Sequence, residues 1–246
     1  MLAISTTKAL SLVDPAVLKG SPPSILSTQT FPSPPTTSVW SQDNSTLFVA
    51  FPDSIRQYSS LGSHIGEIYS STEIITSLTA KDKGQTLILS QSNKIQVLEC
   101  GSGVGKITQT FASHKTPIAA LSLSNDSTLL ASVSPSAAHV HNLSLGSHTV
   151  LRGLPSAGQI TTCAFHSHSR TRLLLAMGKQ VLVYDTTRPS GPVKVIPMSD
   201  ACSGDIVAVA CSPFSKTLVA VASNGGNVVL FDMDKDKGCV CNCIYY

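Results

Sequence analysis

The sequence has few charged residues and few aromatic residues. Only 13% of its 246 residues are charged, 5% are aromatic, and the net charge is +3. Soluble proteins usually contain about 25% charged residues, so the composition argues against a charged disordered tail. Proteins that bind nucleic acid usually carry a dense basic face with aromatic side chains for stacking. The 17 Lys and Arg residues are scattered instead, and we expect no nucleic-acid partner.

Long apolar runs and a secretory signal are also lacking. No stretch reaches the roughly 18 consecutive apolar residues of a membrane span, and no basic segment precedes an apolar core near the N-terminus. The seven Cys residues are too sparse for a disulfide framework at this length, and their number is odd. These features predict an intracellular, reduced protein of the cytoplasm with no membrane partner.

Common loops that bind phosphate or position a nucleophile do not occur. The sequence contains no GxxxxGK followed by Ser or Thr, no GxGxxG and no GxSxG. Amphipathic runs at the helical period of 3.6 residues are scarce, which argues against the α-helical classes. The sequence therefore offers neither a nucleotide-binding loop nor a hydrolase elbow.

Short β-type runs that end in a polar residue recur roughly every 43 residues. Their last residues are Asp14, Ser59, Glu99, Asn142, Asp185 and Asp232. Two apolar strands around a polar turn precede most of these runs, and a shorter run often follows. Each repeat is therefore predicted to contain about four strands. Continuous apolar runs such as 173–176 and 181–183 indicate sheets buried on both faces. This pattern is typical of a β-propeller, whose four-stranded blades stack around a central channel.

The repeats resemble the WD40 family. The clearest stretch is 114–142, with a loop His, a strand, a polar turn, a small-residue strand and a strand ending in a WD-like pair. No repeat has Trp-Asp at that pair, so spacing and apolar pattern carry the resemblance. The resemblance implies an incomplete WD40-type propeller of about five to six blades over residues 1–237, with His114 bonded inside its blade. We expect residues 238–246 to be an atypical Cys-rich tail outside the blade pattern, and the chain to be a C-terminally truncated product.

Within that family, the order of segments resembles the WD-repeat adaptors that attach γ-tubulin ring complexes to the spindle. These segments are VWS at 39–41, LRG at 151–153, VLVYD at 181–185, SPF at 212–214 and VVLFD at 228–232. The resemblance implies protein binding, microtubule nucleation in mitosis and a location at the spindle pole or centrosome. The family's C-terminal complex-binding region is missing, so the chain would localise without recruiting. A subunit of another assembly, such as a ubiquitin-ligase receptor or a ribosome-assembly factor, is the alternative.

A metal-dependent propeller hydrolase is a further alternative from a different class. The candidate histidine ligands are His139, His141, His148, His166 and His168, and a separate thiol cluster, open to a soft metal or to acylation, consists of Cys239, Cys241 and Cys243. His139 and His141 alternate on one strand and therefore share a face. No Cys or carboxylate lies at zinc-site spacing from the histidines, and Cys-x-Cys-x-Cys lacks a second ligand pair. We expect no metal, no cofactor, no catalytic residue and no small-molecule substrate.

Two loop features are candidate sites for partners or modification. The segment 20–37 is rich in Pro and is predicted to be a long blade-connecting loop, with protein docking as its functional interpretation. Ser33 and Ser134 each precede a Pro and are candidate sites for proline-directed phosphorylation.

Overall fold

The structure, a computed structural model, describes residues 2–5, 9–14, 24–101, 103–156, 158–235 and 241–244. Those residues form antiparallel strands, connected by turns and by a short 3-10 segment at Asp82–Gly84. The chain divides into two compact units, Met1–Ala112 and Ser113–Tyr246. The fold is all-β and consistent with a propeller-like architecture, which confirms the coarser prediction of four-stranded antiparallel sheets.

The first unit contains three sheets whose strands follow one another in chain order. Sheet A consists of β1 (Leu2–Ser5), β2 (Ala9–Asp14) and β3 (Ser24–Thr30). Sheet B consists of β4 (Thr37–Trp40), β5 (Thr46–Ala50), β6 (Ser54–Ser59) and β7 (His64–Ser70). Sheet C consists of β8 (Ile75–Lys81), β9 (Thr86–Gln91), β10 (Lys94–Glu99) and β11 (Lys106–Phe111).

The second unit contains three four-stranded sheets with the same up-and-down order. Sheet D consists of β12 (Ala120–Leu123), β13 (Leu129–Ser134), β14 (Ala137–Asn142) and β15 (His148–Val150). Sheet E consists of β16 (Ile160–Phe165), β17 (Arg172–Met177), β18 (Gln180–Asp185) and β19 (Lys194–Pro197). Sheet F consists of β20 (Ile206–Cys211), β21 (Leu218–Ser223), β22 (Asn227–Asp232) and β23 (Cys241–Ile244).

Sheet E shows why the middle strands are apolar without alternation. Leu173 and Leu175 pack in a core shared with sheet D, whereas Leu174 and Ala176 pack in a core shared with sheet F. Successive side chains of a strand point to opposite faces, so a sheet covered on both faces needs apolar residues at every position. The prediction that runs 173–176 and 181–183 are buried on both faces is confirmed.

Hydrogen bonds also join neighbouring sheets of the second unit through their first strands. The Phe165 N–H donates to Ser122 Oγ at 2.8 Å, from β16 to β12. The Thr161 hydroxyl donates to the carbonyl oxygen of Ile206 at 2.6 Å, from β16 to β20. Each first strand is therefore fixed to the next sheet by polar contacts as well as by apolar packing.

Two sequence predictions about irregular segments are wrong. The segment 20–37 was expected to be a loop, but Ser24–Thr30 is strand β3 and pairs with β2, and Thr37 begins β4. Residues 238–246 were expected to leave the blade pattern, but Cys241–Ile244 form β23, the fourth strand of sheet F. Both segments pair along a sheet edge through backbone groups, which places little demand on their side chains.

No helix among the residues that the structure describes is long and apolar enough to cross a membrane.

Candidate interaction site on the second unit

The six repeat-closing polar residues all lie at the same place in their sheets. Asp14 ends β2, Ser59 ends β6, Glu99 ends β10, Asn142 ends β14, Asp185 ends β18 and Asp232 ends β22. In the second unit, the side-chain oxygens of Asn142, Asp185 and Asp232 each accept a hydrogen bond from the backbone N–H two residues later, at 3.0 to 3.1 Å. This bond starts the turn to the fourth strand, so these residues shape turns and are not brought together.

His114 is tied to sheet D through a buried serine. Its Nε2 lies 2.8 Å from Ser132 Oγ, and the same Oγ lies 2.9 Å from Nε2 of His141. One hydroxyl thus connects the loop before β12 to strands β13 and β14. Ser132 has no exposed surface, so its hydroxyl cannot reach a substrate. The His–Ser–His arrangement is an interior hydrogen-bond network.

The histidine cluster of sheet D also includes His139 and His148. The ring of His139 lies 4.3 Å from that of His114 and 5.2 Å from that of His148, between ring centroids. Burial, reinforced by the neighbouring imidazoles, lowers the pKa of His114 to about 4 and the pKa of His141 to about 3. Both rings are therefore neutral at pH 7.

The other candidate ligands do not join this cluster. His166 and His168 lie in the turn between β16 and β17 of sheet E, and the side chains of Cys239, Cys241 and Cys243 lie outside the described residues. Throughout the described part of the chain, no group of three or more His, Cys, Asp or Glu residues is arranged to hold a metal ion.

The two candidate phosphorylation sites differ in accessibility. Ser134 lies in β13 and has no exposed surface, so the expectation of modification there is wrong for the folded chain. Ser33 lies between β3 and β4 and is half-buried.

The turns between the first and second strands of sheets D, E and F are linked to one another. Nε of Arg170, in the sheet E turn, lies 3.0 Å from Oδ2 of Asp126, in the sheet D turn. On the other side, Nε2 of His166 lies 2.8 Å from the carbonyl oxygen of Lys216, in the sheet F turn. The Ser167 hydroxyl adds a bond to the carbonyl oxygen of Cys211 at 3.2 Å. These three turns, which we name the linked turns, are thus joined in series by side-chain contacts.

An aspartate stabilises this kind of turn in two sheets. In sheet D, Asp126 Oδ1 accepts hydrogen bonds from the Ser124 hydroxyl at 2.7 Å and from the Thr128 N–H at 3.2 Å. Asp43 makes the same contacts with Ser41 and Ser45 in sheet B, at 2.6 and 3.1 Å. The bond from the Ser41 hydroxyl, followed by those from Ser45, lowers the pKa of Asp43 to about 2.

The sheet F turn is one residue longer: Phe214 lies two residues after its first serine, and Ser215 lies three residues before the next strand, where Asp126 lies in sheet D. Ser212 Oγ accepts from the N–H groups of Phe214 at 3.2 Å and Ser215 at 3.0 Å. Ser215 Oγ in turn accepts from the N–H groups of Thr217 and Leu218, both at 3.3 Å. In this turn, serine hydroxyls thus accept the kind of backbone hydrogen bond that the aspartate accepts in sheets B and D. The Phe214 side chain is 96% exposed.

A groove lies beside this turn, between sheets E and F. Its lining residues are Arg172, Val183, Val193, Lys194, Met233 and Asp234. The Met233 N–H donates to the carbonyl oxygen of Thr217 at 2.8 Å, and Lys194 Nζ donates to the carbonyl oxygen of Met233 at 2.7 Å. The turn that carries Phe214 is therefore bonded directly to the wall of the groove.

Sequence reasoning used Ser212–Phe214 only as a landmark and did not identify Phe214, Arg172 or Lys194 as site residues. An available signal was the presence of an aromatic residue in this turn, whereas the turns of two other repeats hold Asp. Comparison with protein-family models and with curated protein sequences found no match to this chain.

Proposed function

We propose that this chain is a non-catalytic protein-interaction scaffold, a WD40-type propeller whose turn ends bind other proteins. The observation that carries the proposal is the bonding between neighbouring turns, in which Arg170 contacts Asp126 and His166 contacts Lys216. Loops held on a rigid sheet scaffold commonly carry binding functions. Bonds between the linked turns hold them in order before a partner binds. Binding therefore costs the turns less conformational entropy than it would cost free loops.

The narrower proposal is a role as a spindle or centrosome adaptor for γ-tubulin complexes in microtubule nucleation. Its support is the resemblance in segment order given above, which ends with SPF at 212–214 and VVLFD at 228–232. The SPF segment lies in the linked turns and carries the exposed Phe214. The partner on this proposal is a protein assembly, with no cofactor and no small-molecule substrate.

The test is affinity purification of the tagged chain from dividing cells, with γ-tubulin measured by immunoblot and all other proteins by mass spectrometry. The informative variant is Arg170→Glu, which reverses an exposed charge in the linked turns beside Asp126. Lys179→Glu is the matched control, because Lys179 is an exposed cation in the turn between β17 and β18, at the opposite end of the strands. We expect spindle-pole or centrosome proteins to co-purify with the wild type and the control, and to fall at least fivefold with Arg170→Glu, whereas recovery of γ-tubulin itself would mean that the described sheets also contact the complex.

Other outcomes separate the alternatives. A different assembly, such as a ubiquitin ligase or a ribosome precursor, recovered with the same dependence on Arg170 would retain the scaffold and reject the γ-tubulin role. A hydrolase activity that is lost in chelator would favour the metal-dependent hydrolase, whereas partner recovery that persists in chelator would favour the scaffold. If no assembly depends on Arg170, the proposal that the linked turns bind partners is wrong.

A further inference from the structure

Phe214 is an apolar side chain that the fold presents to solvent on an ordered backbone. Its ring is 96% exposed, while Ser212 and Ser215 fix the turn around it with four hydrogen bonds to backbone N–H groups. A large aromatic residue with few rotatable bonds, held on such a backbone, loses little conformational entropy when it is buried by a partner. Aromatic residues of this kind often supply much of the binding energy of an interface.

The turn does not need an aromatic residue at this place. Asp43 and Asp126 each accept a hydrogen bond from the N–H two residues later in two other sheets, and in the sheet F turn Ser215 accepts that bond. Since serine hydroxyls close the sheet F turn without help from the Phe214 ring, the ring contributes nothing to the hairpin. A single exposed apolar residue is ordinary on a protein surface, so its surroundings must decide what it does.

Those surroundings add apolar surface in the adjoining groove. Val183 and Val193 line the groove, and Val193 is 58% exposed. The groove wall is bonded to the Phe214 turn through the Met233 N–H and the Thr217 carbonyl oxygen. The exposed ring and the apolar groove thus belong to one connected region of the second unit.

Positive charge predominates in this region. The cations are Arg172, Lys194, Lys216 and Lys235, and the carboxylates are Asp232 and Asp234. Lys235 Nζ lies 3.9 Å from Asp232 Oδ2, and Lys194 Nζ donates to a backbone carbonyl oxygen. Arg172 and Lys216 are exposed, so their charges face an incoming ligand. Complementary charge steers association and selects partners, and four cations against two carboxylates favour an acidic partner here.

We propose that the Phe214 turn and the sheet E–sheet F groove bind an acidic protein segment with leucine-like side chains. Phe214 and Val193 contact the apolar side chains, and Arg172 and Lys216 contact the carboxylates. The inference rests on the proposed scaffold function and specifies the chemistry of its partner. An amphipathic acidic helix fits this description, because apolar residues three and four positions apart surround a ring while glutamates flank them.

The test uses the purified full chain and a fluorescein-labelled peptide of about 16 residues, with leucines at helical spacing and glutamates elsewhere. A second peptide carries lysine in place of every glutamate. Binding is measured by fluorescence anisotropy, and we expect the acidic peptide to bind at least tenfold more tightly than the basic one. This preference is expected to weaken as salt is raised.

Two variants and two controls localise the binding. Phe214→Asp replaces an exposed ring that makes no core contact, and it is expected to weaken binding at least tenfold without unfolding the chain. Its control is Leu145→Asp, since Leu145 is a 77% exposed apolar residue in the turn between β14 and β15. Lys216→Glu is expected to weaken binding to the acidic peptide, with Lys179→Glu as its control. Circular dichroism verifies that each variant is folded.

Several results would overturn the inference. If Phe214→Asp and wild type bind the acidic peptide equally, Phe214 is not part of the site. If wild type binds the acidic and basic peptides equally, the binding is non-specific hydrophobic contact. Equal binding of a single-stranded oligonucleotide would indicate a nucleic-acid surface, and no binding of the acidic peptide would reject the partner chemistry. If cellular partners depend on Arg170 but not on Phe214, the scaffold function stands and this inference fails. If wild type recovers no assembly, the scaffold function fails whatever the peptide shows.

Discussion

Sheets D and E are built from the same repeat, but three corresponding interior positions differ in chemistry. Sheet D has Ser132, His139 and His141 where sheet E has Leu175, Leu182 and Tyr184. All six side chains are buried. Within sheet D, a hydroxyl between two imidazoles satisfies hydrogen bonds internally, whereas sheet E fills the positions mainly with apolar volume. At these positions the repeat therefore requires filled interior space, which either polar or apolar side chains can supply.

The stabilities of sheets D and E should therefore depend differently on pH. In sheet D the folded-state pKa values of His114, about 4, and His141, about 3, lie below the value of 6.5 for an unfolded chain. The unfolded state then binds more protons, so the stabilisation is complete above pH 6.5 and is lost as pH falls toward these folded values. Sheet E has no such group at the corresponding positions.

The largest expected effect is therefore a loss of stability on acidification. Between pH 7 and pH 5 each of the two histidines should reduce the free energy of unfolding by about 2 kcal/mol. Urea unfolding followed by circular dichroism measures the total, and hydrogen exchange read by mass spectrometry assigns it to peptides of β13 and β14. Equal loss of protection in β17 and β18 would contradict the comparison.

Shortening an apolar residue of sheet E tests the other half of the comparison. Leu175→Ala removes a fully buried side chain from the core shared by sheets D and E, and a cost of about 3 kcal/mol is expected. The cost should be the same at pH 7 and at pH 5, because no titrating group is changed. Val207→Ala is the control, since Val207 is 48% exposed and should change the urea midpoint little.

Removing the serine hydroxyl of sheet D should cost less. Ser132→Ala leaves the Nε2 atoms of His114 and His141 without the hydroxyl that bonds them, and we expect a loss of about 2 kcal/mol. Ser144→Ala, at an exposed position of the next turn, is the control. An unchanged unfolding midpoint for Ser132→Ala would mean that the network is not a stabilising element of sheet D.

The smallest expected effect concerns the Tyr184 hydroxyl, the polar group at the three compared positions of sheet E. The Tyr184 hydroxyl donates to the carbonyl oxygen of Arg152 at 2.9 Å, and Tyr184→Phe should cost about 1 kcal/mol by deleting that bond. The loss should be independent of pH between 5 and 7. A loss larger than that for Ser132→Ala would reverse the order proposed for the two sheets.

The sequence predicts the strand pattern well where side chains are buried. The apolar run 173–176 and the alternation of His139 and His141 both follow from strand geometry alone, and both are present in the structure. Edge strands are harder to predict, since Ser24–Thr30 and Cys241–Ile244 are placed by backbone pairing. Their side chains do not show the apolar pattern of a buried strand.

The candidate site could be predicted only in part. The polar turns were visible as short Ser-, Asn- and Asp-containing segments, but their mutual contacts were not. His166 and Lys216 are 50 residues apart in sequence, and no local pattern indicates that they meet. The exposure of Phe214, and the hydrogen bonds by which Ser212 and Ser215 hold the turn around it, are visible only in three dimensions.

The bonds between the first strands of the second unit predict how far unfolding extends along the chain in each step. One bond joins Ser122 to Phe165 across 43 residues of sequence, and the other joins Thr161 to Ile206 across 45. A sheet that opens releases the first strand of its neighbour, so opening is expected to travel from sheet to sheet, as in other repeat proteins. Protease digestion of the second unit would then yield a ladder of products whose lengths differ by one repeat.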